Sequence, residues 1–206
     1  MRYCRAMATP VHPEGFPALL VDDALRAGRA SRASPPVFAI TGLQGSGKST
    51  LAEQVAARAR GEGLRVAVLS LDDLYLTRAQ RQRLAAEVHP LLATRGPPGT
   101  HDVALGCRVL DALRHGEEVV LPRFDKLADD RAPDDAWTRI DGRVDLVLFE
   151  GWCLKAMPED DAALATPINA LERDEDAHGR WRRHCNDALR NDYPALWSRI
   201  DALWFL

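Results

Sequence analysis

Eight consecutive residues restrict this chain more than any others. Gly42, Leu43, Gln44, Gly45, Ser46, Gly47, Lys48 and Ser49 match G-x-x-x-x-G-K-[ST] at every fixed position. An apolar run precedes them at 37–41, and a segment with Leu51, Val55 and Ala59 on one helical face follows. A strand, a Gly-rich turn and a helix in that order make a phosphate cradle. Glycines let successive N–H groups turn toward one anion, and the helix adds the positive end of its dipole. Lys48 then reaches the β and γ phosphates of a nucleotide and the Ser49 hydroxyl serves a Mg²⁺ ion. Thr50 completes the nucleotide-binding positions. A chance Gly-rich turn is the competing reading, and four fixed positions between correct flanks weigh against it.

The strand–helix rhythm continues downstream. Strands are predicted at 37–41, 65–70, 118–121, 145–149 and 202–206, and helices at 49–60, 78–87, 102–115 and 181–200. Loops are predicted at 89–101 and 123–143. Alternation of this kind implies an α/β, three-layer P-loop fold: a five-stranded parallel sheet with helices on both faces. The P-loop strand is expected beside the strands that lead into Asp72 and Glu150. Residues 1–35 read as an N-terminal helical appendage and linker, with Pro10, Pro13 and Pro17 near its start and Leu19, Leu20 and Leu25 turned inward. A length of 206 residues suits one domain, here 36–206, with such an appendage.

A P-loop metal needs a carboxylate at the end of a neighbouring strand. Glu150 follows four apolar residues, so it stands at a strand's C-terminal edge, where open α/β sheets bind ligands. An acid that merely caps a loop is the alternative. Asp72 and Asp73 follow the strand at 65–70, and either carboxylate can take a proton from an acceptor hydroxyl. Neighbours in an extended segment point opposite ways, so one of the two should face the phosphate, with Asp72 favoured. An Asx turn would explain the pair without chemistry.

Composition removes several classes. Twenty-seven basic and 30 acidic residues leave a net charge of −3, too little positive field to hold a nucleic-acid backbone or an anionic membrane. No apolar run approaches the roughly 18 residues of a membrane helix, and the N-terminus lacks the apolar stretch of a signal peptide. Cys4, Cys107, Cys153 and Cys185 form no CxxC pair, which argues against disulfides or zinc and for a reducing, cytoplasmic setting. Lysine is so scarce, at Lys48, Lys126 and Lys155 only, that each position invites attention.

The set GLQGSGKST, SLDDLY, RGPPGTHD, PRFDK and LFEGW, in this order, resembles the D-glycerate 3-kinase-like P-loop kinases, a group related to pantothenate kinase, uridine kinase and phosphoribulokinase. The likeness runs from about 37 to 206. It implies a P-loop kinase domain that uses ATP and Mg²⁺ to phosphorylate a small hydroxyl compound. The proposed base of the D-x-[FL]-Y element falls on Asp72, which joins Lys48 as a catalytic residue. The strand-end Glu falls on Glu150, which joins Ser49 as a metal residue. The RGxPGTHD and PxFDK elements cover 95–102 and 122–126, so Arg95, His101, Asp102, Arg123, Asp125 and Lys126 are implied around the acceptor.

Three cations in those loops suit a carboxylate compound, so the expected acceptor is a small hydroxy acid, with D-glycerate first. Plainer roles compete. Asp102 can be only a helix N-cap, the cations can pair with the Asp-rich loop at 125–135, and Asp125 can bridge Lys126. Two departures stand out. Residues 127–133 read LADDRAP where some relatives carry GxGDR, and the chain stops on a strand expected to be buried. The lid helix and part of the nucleobase pocket are therefore expected to lie beyond it. A nucleoside- or pantothenate-type kinase, a nucleotide-dependent switch and a binding-only remnant are the alternatives. Against a GTPase switch, Asn186 and Asn191 precede Asp, so no N-K-x-D occurs, and no LSGGQ signature of a transporter ATPase occurs either.

Overall fold

The computed structural model describes residues 15–206. The prolines read at 10 and 13, Cys4 and the rest of 1–14 lie outside the described residues. In chain order the helices are α1 (Ala18–Arg29), α2 (Lys48–Gly61), α3 (Arg78–Glu87), α4 (Val103–His115), α5 (Ala170–Glu175), α6 (Arg180–Asn191) and α7 (Tyr193–Trp197). The strands are β1 (Val37–Thr41), β2 (Val66–Ser70), β3 (Val119–Leu121), β4 (Phe124–Asp125), β5 (Asp130–Arg131), β6 (Thr138–Ile140), β7 (Leu146–Gly151) and β8 (Ala202–Phe205). They divide into two units, one of residues 15–70, 143–154 and 200–206, the other of 71–142 and 155–199.

The first unit holds the parallel sheet. Among the described residues it has four strands, in the order β2-β7-β1-β8, where five were expected. Burial explains the order. All six residues of β7 and all five of β1 are buried, so both faces of each must be covered, and they take the centre. Strand β2 shows partly exposed Val68 and Ser70, and β8 alternates, with Phe205 77% exposed; these two take the edges. The expectation that β1 lies directly beside β2 is therefore corrected. Strand β7 lies between them, pairing Val37↔Val147 through Thr41↔Gly151 on one side and Val66↔Leu146 through Ser70↔Glu150 on the other. The last strand, expected to be buried, is an edge strand.

The strand expected at 118–121 does not join this sheet. Strand β3 pairs antiparallel with β6, and Val120 is 40% exposed. Glu118 before it and Pro122 after it leave too short an apolar run for a buried parallel position. The region read as loop at 123–143 supplies its partner β6 and also the small β4–β5 hairpin.

Helix α1 packs into the first unit's core rather than standing off as an appendage. Val21, Ala24, Leu25 and Gly28 form one stripe at i, i+3, i+4 and i+7 and are buried with Phe38, Ile40, Leu51, Val55 and Leu148. Leu19, two residues off that stripe, is 80% exposed, which corrects its inward assignment. Phe38 meets Trp204 edge-on, with ring centroids 5.8 Å apart, an arrangement worth about 0.5–1.5 kcal/mol beyond area burial.

In the second unit, α3 opens with a capping box between Thr77 and Gln80, and α4 opens on Asp102, whose side chain accepts from the Leu105 N–H at 2.9 Å. The helix expected at 181–200 breaks into α6 and α7, because Pro194 in the first turn of α7 cannot continue a helix begun before it. None of Cys107, Cys153 and Cys185 forms a disulfide, and burial pushes the Cys185 thiol up to about 12. No helix among the described residues is long and apolar enough to cross a membrane.

Candidate active site

In the first unit, β1 delivers the chain into the loop 42–49 and α2 leaves it. Gly47 is the N-cap of α2, with φ +92°, a left-handed conformation that side chains disfavour. Gly42 stands where a Cβ would run into the carbonyl of Leu206. The loop folds on itself: the Ser46 N–H donates to the Leu43 carbonyl at 3.2 Å, and Lys48 Nζ donates to the same carbonyl at 2.7 Å. Lys48 is thus held along the loop, its side chain largely buried. The Ser46 hydroxyl is buried with no hydrogen-bond partner, a polar atom available to a ligand within the loop.

Glu150, buried near the end of β7, accepts from the Ser49 hydroxyl at 3.1 Å. This single contact joins the two residues expected to serve the metal. A hydroxyl and a carboxylate are hard oxygen donors, and two protein oxygens suit Mg²⁺, which keeps waters and phosphate oxygens as its other ligands. Among the described residues no group of three or more His, Cys, Asp or Glu gathers to hold a metal ion. The pair therefore fits a metal that arrives with phosphate.

In the second unit, the 3-10 turn Leu71–Leu74 presents Asp72 and Asp73 to the segment 123–126. Asp72 accepts from Lys126 Nζ at 2.7 Å on one oxygen and from the Tyr75 hydroxyl at 3.0 Å on the other. Burial pushes the Asp72 carboxyl up, but the Lys126 ammonium and the Tyr75 hydroxyl outweigh it, and it titrates below the ordinary aspartate value. Asp73 accepts from the Phe124 N–H at 3.0 Å and from Arg123 at 3.2 Å; burial outweighs both and raises its pKa. The adjacent acids thus titrate in opposite directions.

The other acceptor residues separate into two kinds. Arg123 and Lys126, with half-exposed side chains, pair with the two acids just described. Asp125 instead accepts from the N–H groups of Leu127 and Ala128 at 2.8 and 3.0 Å, an Asx-type turn, so it does not bridge Lys126. Asp102 caps α4 and accepts from Arg131 at 3.2 Å. Arg95 pairs with Asp129 of the Asp-rich loop and lies 5.5 Å from the Phe124 ring centroid. The plainer roles weighed for Asp102 and Arg95 are the contacts these residues make. His101 is buried, stacked on Tyr75 with centroids 4.6 Å apart; Nδ1 meets the Tyr193 hydroxyl and Nε2 has no partner. Burial takes its pKa down to about 3, against the pull of Asp72, so the ring is neutral at pH 7.

Several residues of this cluster had no assigned role. Tyr75 was detectable, three positions after Asp72 in SLDDLY. Arg81 was not: it lies in a polar helix, yet is fully buried, donating to the carbonyls of Leu76, Ala93 and Asp129 and pairing with the Asp129 carboxylate at 3.0 Å. Asp129 itself takes φ +52°.

Comparison with known proteins adds to this geometry. The Schizosaccharomyces pombe protein named uncharacterized kinase mug58 is 33% identical over 183 residues, covering 82% of this chain and 63% of that protein. Chloroplastic D-glycerate 3-kinase of Arabidopsis thaliana is 34% identical over 146 residues, 65% of this chain and 32% of its own. The solved D-glycerate 3-kinase of Cryptococcus neoformans superposes with a TM-score of 0.70 at 28% identity, over 90% of this chain and 69% of that one. The chain resembles the glycerate kinase-like P-loop kinases. It shares their α/β P-loop fold and spans between about a third and just under two thirds of the sequence relatives' lengths. A family model described as methylmalonyl Co-A mutase-associated GTPase MeaB also matches residues 7–75, a third of the chain that contains the phosphate loop.

Proposed function

We propose that the protein is an ATP-dependent kinase that transfers the γ-phosphoryl group to a hydroxyl of a small hydroxy acid, D-glycerate being the first candidate. The observation that carries this reading is the pairing of Asp72 with Lys126 and of Asp73 with Arg123 on a P-loop fold. A base for a hydroxyl and two exposed-end cations for a carboxylate come from one small cluster. The names of the plant and fungal relatives point the same way.

In this reading the loop 42–49 and Thr50 hold the ATP phosphates, with Lys48 following the γ-phosphoryl group as charge moves to the leaving oxygen. Ser49 and Glu150 would hold Mg²⁺, which would supply positive charge to neutralise the phosphates. Arg123 and Lys126 turn from the two aspartates to the acceptor's carboxylate. Asp72, left with the Tyr75 hydroxyl, takes the proton of the acceptor hydroxyl as its oxygen bonds to the γ phosphorus. The bond from that phosphorus to the β-γ bridging oxygen breaks, and ADP leaves.

The test is ADP release measured with no acceptor and with D-glycerate, L-glycerate, pantothenate and uridine in turn. Release that depends on D-glycerate is expected. Preference for uridine or pantothenate overturns the acceptor and keeps the kinase. Acceptor-independent hydrolysis indicates a switch, and nucleotide binding without turnover with any compound indicates a binding-only protein.

A further inference from the structure

The segment just before α1 touches the phosphate loop through one aromatic ring. The Gln54 carboxamide of α2 grips the backbone of Phe16 at both ends: the Phe16 N–H donates to Oε1 at 2.8 Å, and Nε2 donates to the Phe16 carbonyl at 3.3 Å. Gly15 makes room for that grip. A Cβ on it would stand 2.6 Å from Gln54 Nε2, and its φ of +82° is one that side chains disfavour. Held this way, the Phe16 ring lies against Gly47. Its Cζ and Cε2 are 2.9 and 3.0 Å from the point a Cβ of Gly47 would occupy. Gly47 is the left-handed N-cap of α2, and its carbonyl accepts the Leu51 N–H at 2.9 Å, the first bond of that helix.

We infer that Phe16 is a positioning residue of the nucleotide site, bracing Gly47 in the conformation that turns the loop's N–H groups to the phosphates. The inference rests on the reading of 42–49 as a phosphate site. Its physical basis is conformational entropy. Glycine loses more freedom on ordering than any other residue, and three of the eight loop residues are glycine. A loop that must be ordered by its ligand binds more weakly than one ordered in advance. Gln54 fixes the Phe16 backbone, the ring fixes Gly47, and the loop meets its anion already shaped. The ring touches the loop and no reacting atom, so its effect falls on phosphate affinity and leaves the acceptor alone.

The test is calorimetric binding of inorganic tripolyphosphate and of ATP, each with Mg²⁺, to the full chain and to Phe16→Ala, Phe16→Leu and Gln54→Ala, with melting temperatures taken in parallel. Freeing one residue corresponds to a loss of about 5- to 30-fold. Phe16→Ala and Gln54→Ala should weaken both ligands by that factor and by the same factor, measured well below the melting temperature. Phe16→Leu, which keeps apolar bulk against Gly47, should lose less affinity than Phe16→Ala. Unchanged tripolyphosphate affinity in both Phe16→Ala and Gln54→Ala overturns the inference, whether ATP affinity falls alone, as for a ring that contacts the base, or holds as well. A wild-type chain that binds neither ligand overturns the phosphate-site reading, and the inference with it.

Discussion

Lys126 Nζ lies 2.7 Å from one carboxylate oxygen of Asp72, and the Tyr75 hydroxyl lies 3.0 Å from the other. The residue proposed as base is therefore ionised by a cation that also occupies it. An acceptor that carries a carboxylate can draw Lys126 away as it brings in the hydroxyl to be deprotonated. A neutral acceptor offers Lys126 nothing in exchange. The proposed preference for an acid acceptor thus rests on the same contact that ionises the proposed base.

Replacing Asp72 by Asn removes the proposed proton acceptor and leaves the shape. The expected fall in kcat is about 10²–10⁴, with KM for ATP little changed. Asp73→Asn should be much milder in kcat, since Asp73 is spent on the Phe124 N–H and Arg123. Steady-state kinetics of both variants check the ranking, and the reverse order would move the base to Asp73.

The pH dependence follows from the sign of the Asp72 shift. Its folded pKa is depressed, so the ionised form is favoured in the fold; the stabilisation is present above the unfolded value and is lost as pH falls through the folded one. The acidic limb of kcat/KM should accordingly lie below the ordinary aspartate range. Lys126→Met removes the main cause that lowers it and leaves burial, so the limb should move to higher pH. A limb that stays in place would mean that Asp72 is not the group titrating.

Arg123→Ala distinguishes acceptor binding from architecture. Its side chain is half-exposed and paired with Asp73, a kind of contact worth about 0–1 kcal/mol to stability. The expected result is a rise in KM for the hydroxy acid of about tenfold or more, the loss of a charge-assisted contact, with KM for ATP unchanged. A fall in melting temperature without a change in acceptor KM would make the contact purely structural.

Lys48→Ala should abolish turnover and weaken ATP binding while the fold persists, because the bond from Lys48 to the Leu43 carbonyl lies within the loop itself. Circular dichroism with a turnover assay checks it, and unchanged kcat would refute the assignment.

Arg81 is expected to matter for stability rather than chemistry. Arg81→Met takes the fully buried guanidinium away from three carbonyls and leaves Asp129 paired with Arg95 alone. Leaving buried carbonyls without their donor costs about 1–3 kcal/mol. Urea unfolding that shows a loss below about 1 kcal/mol would contradict that role.

Local signals were legible wherever neighbours along the chain decide the outcome. Strand β1 and helix α3 lie where the residues predicted them, and the glycines of 42–49 turn where the motif requires it. Thr77 with Gln80 and Asp102 with Leu105 cap helices over three residues. Ser49 and Glu150, read separately from motif and strand end, meet at 3.1 Å. The turns and caps depend on backbone sterics and hydrogen bonds within a turn, which a short stretch of sequence states in full, whereas the meeting of Ser49 with Glu150, 101 positions on, needs the sheet.

Tertiary structure decided what depends on burial and on contacts between distant segments. The place of β7 between β1 and β2 follows from which strands have both faces covered, and that is known only once α1 and α2 have packed. Val119–Leu121 left the parallel sheet because 138–140 pairs with it, a partner its own residues do not name. Arg81 and Asp129 are 48 positions apart, as Asp72 and Lys126 are 54. Residue types alone can say that an acid and a cation are present; only the fold decides which acid each cation reaches, because charges select partners by distance and burial rather than by order along the chain.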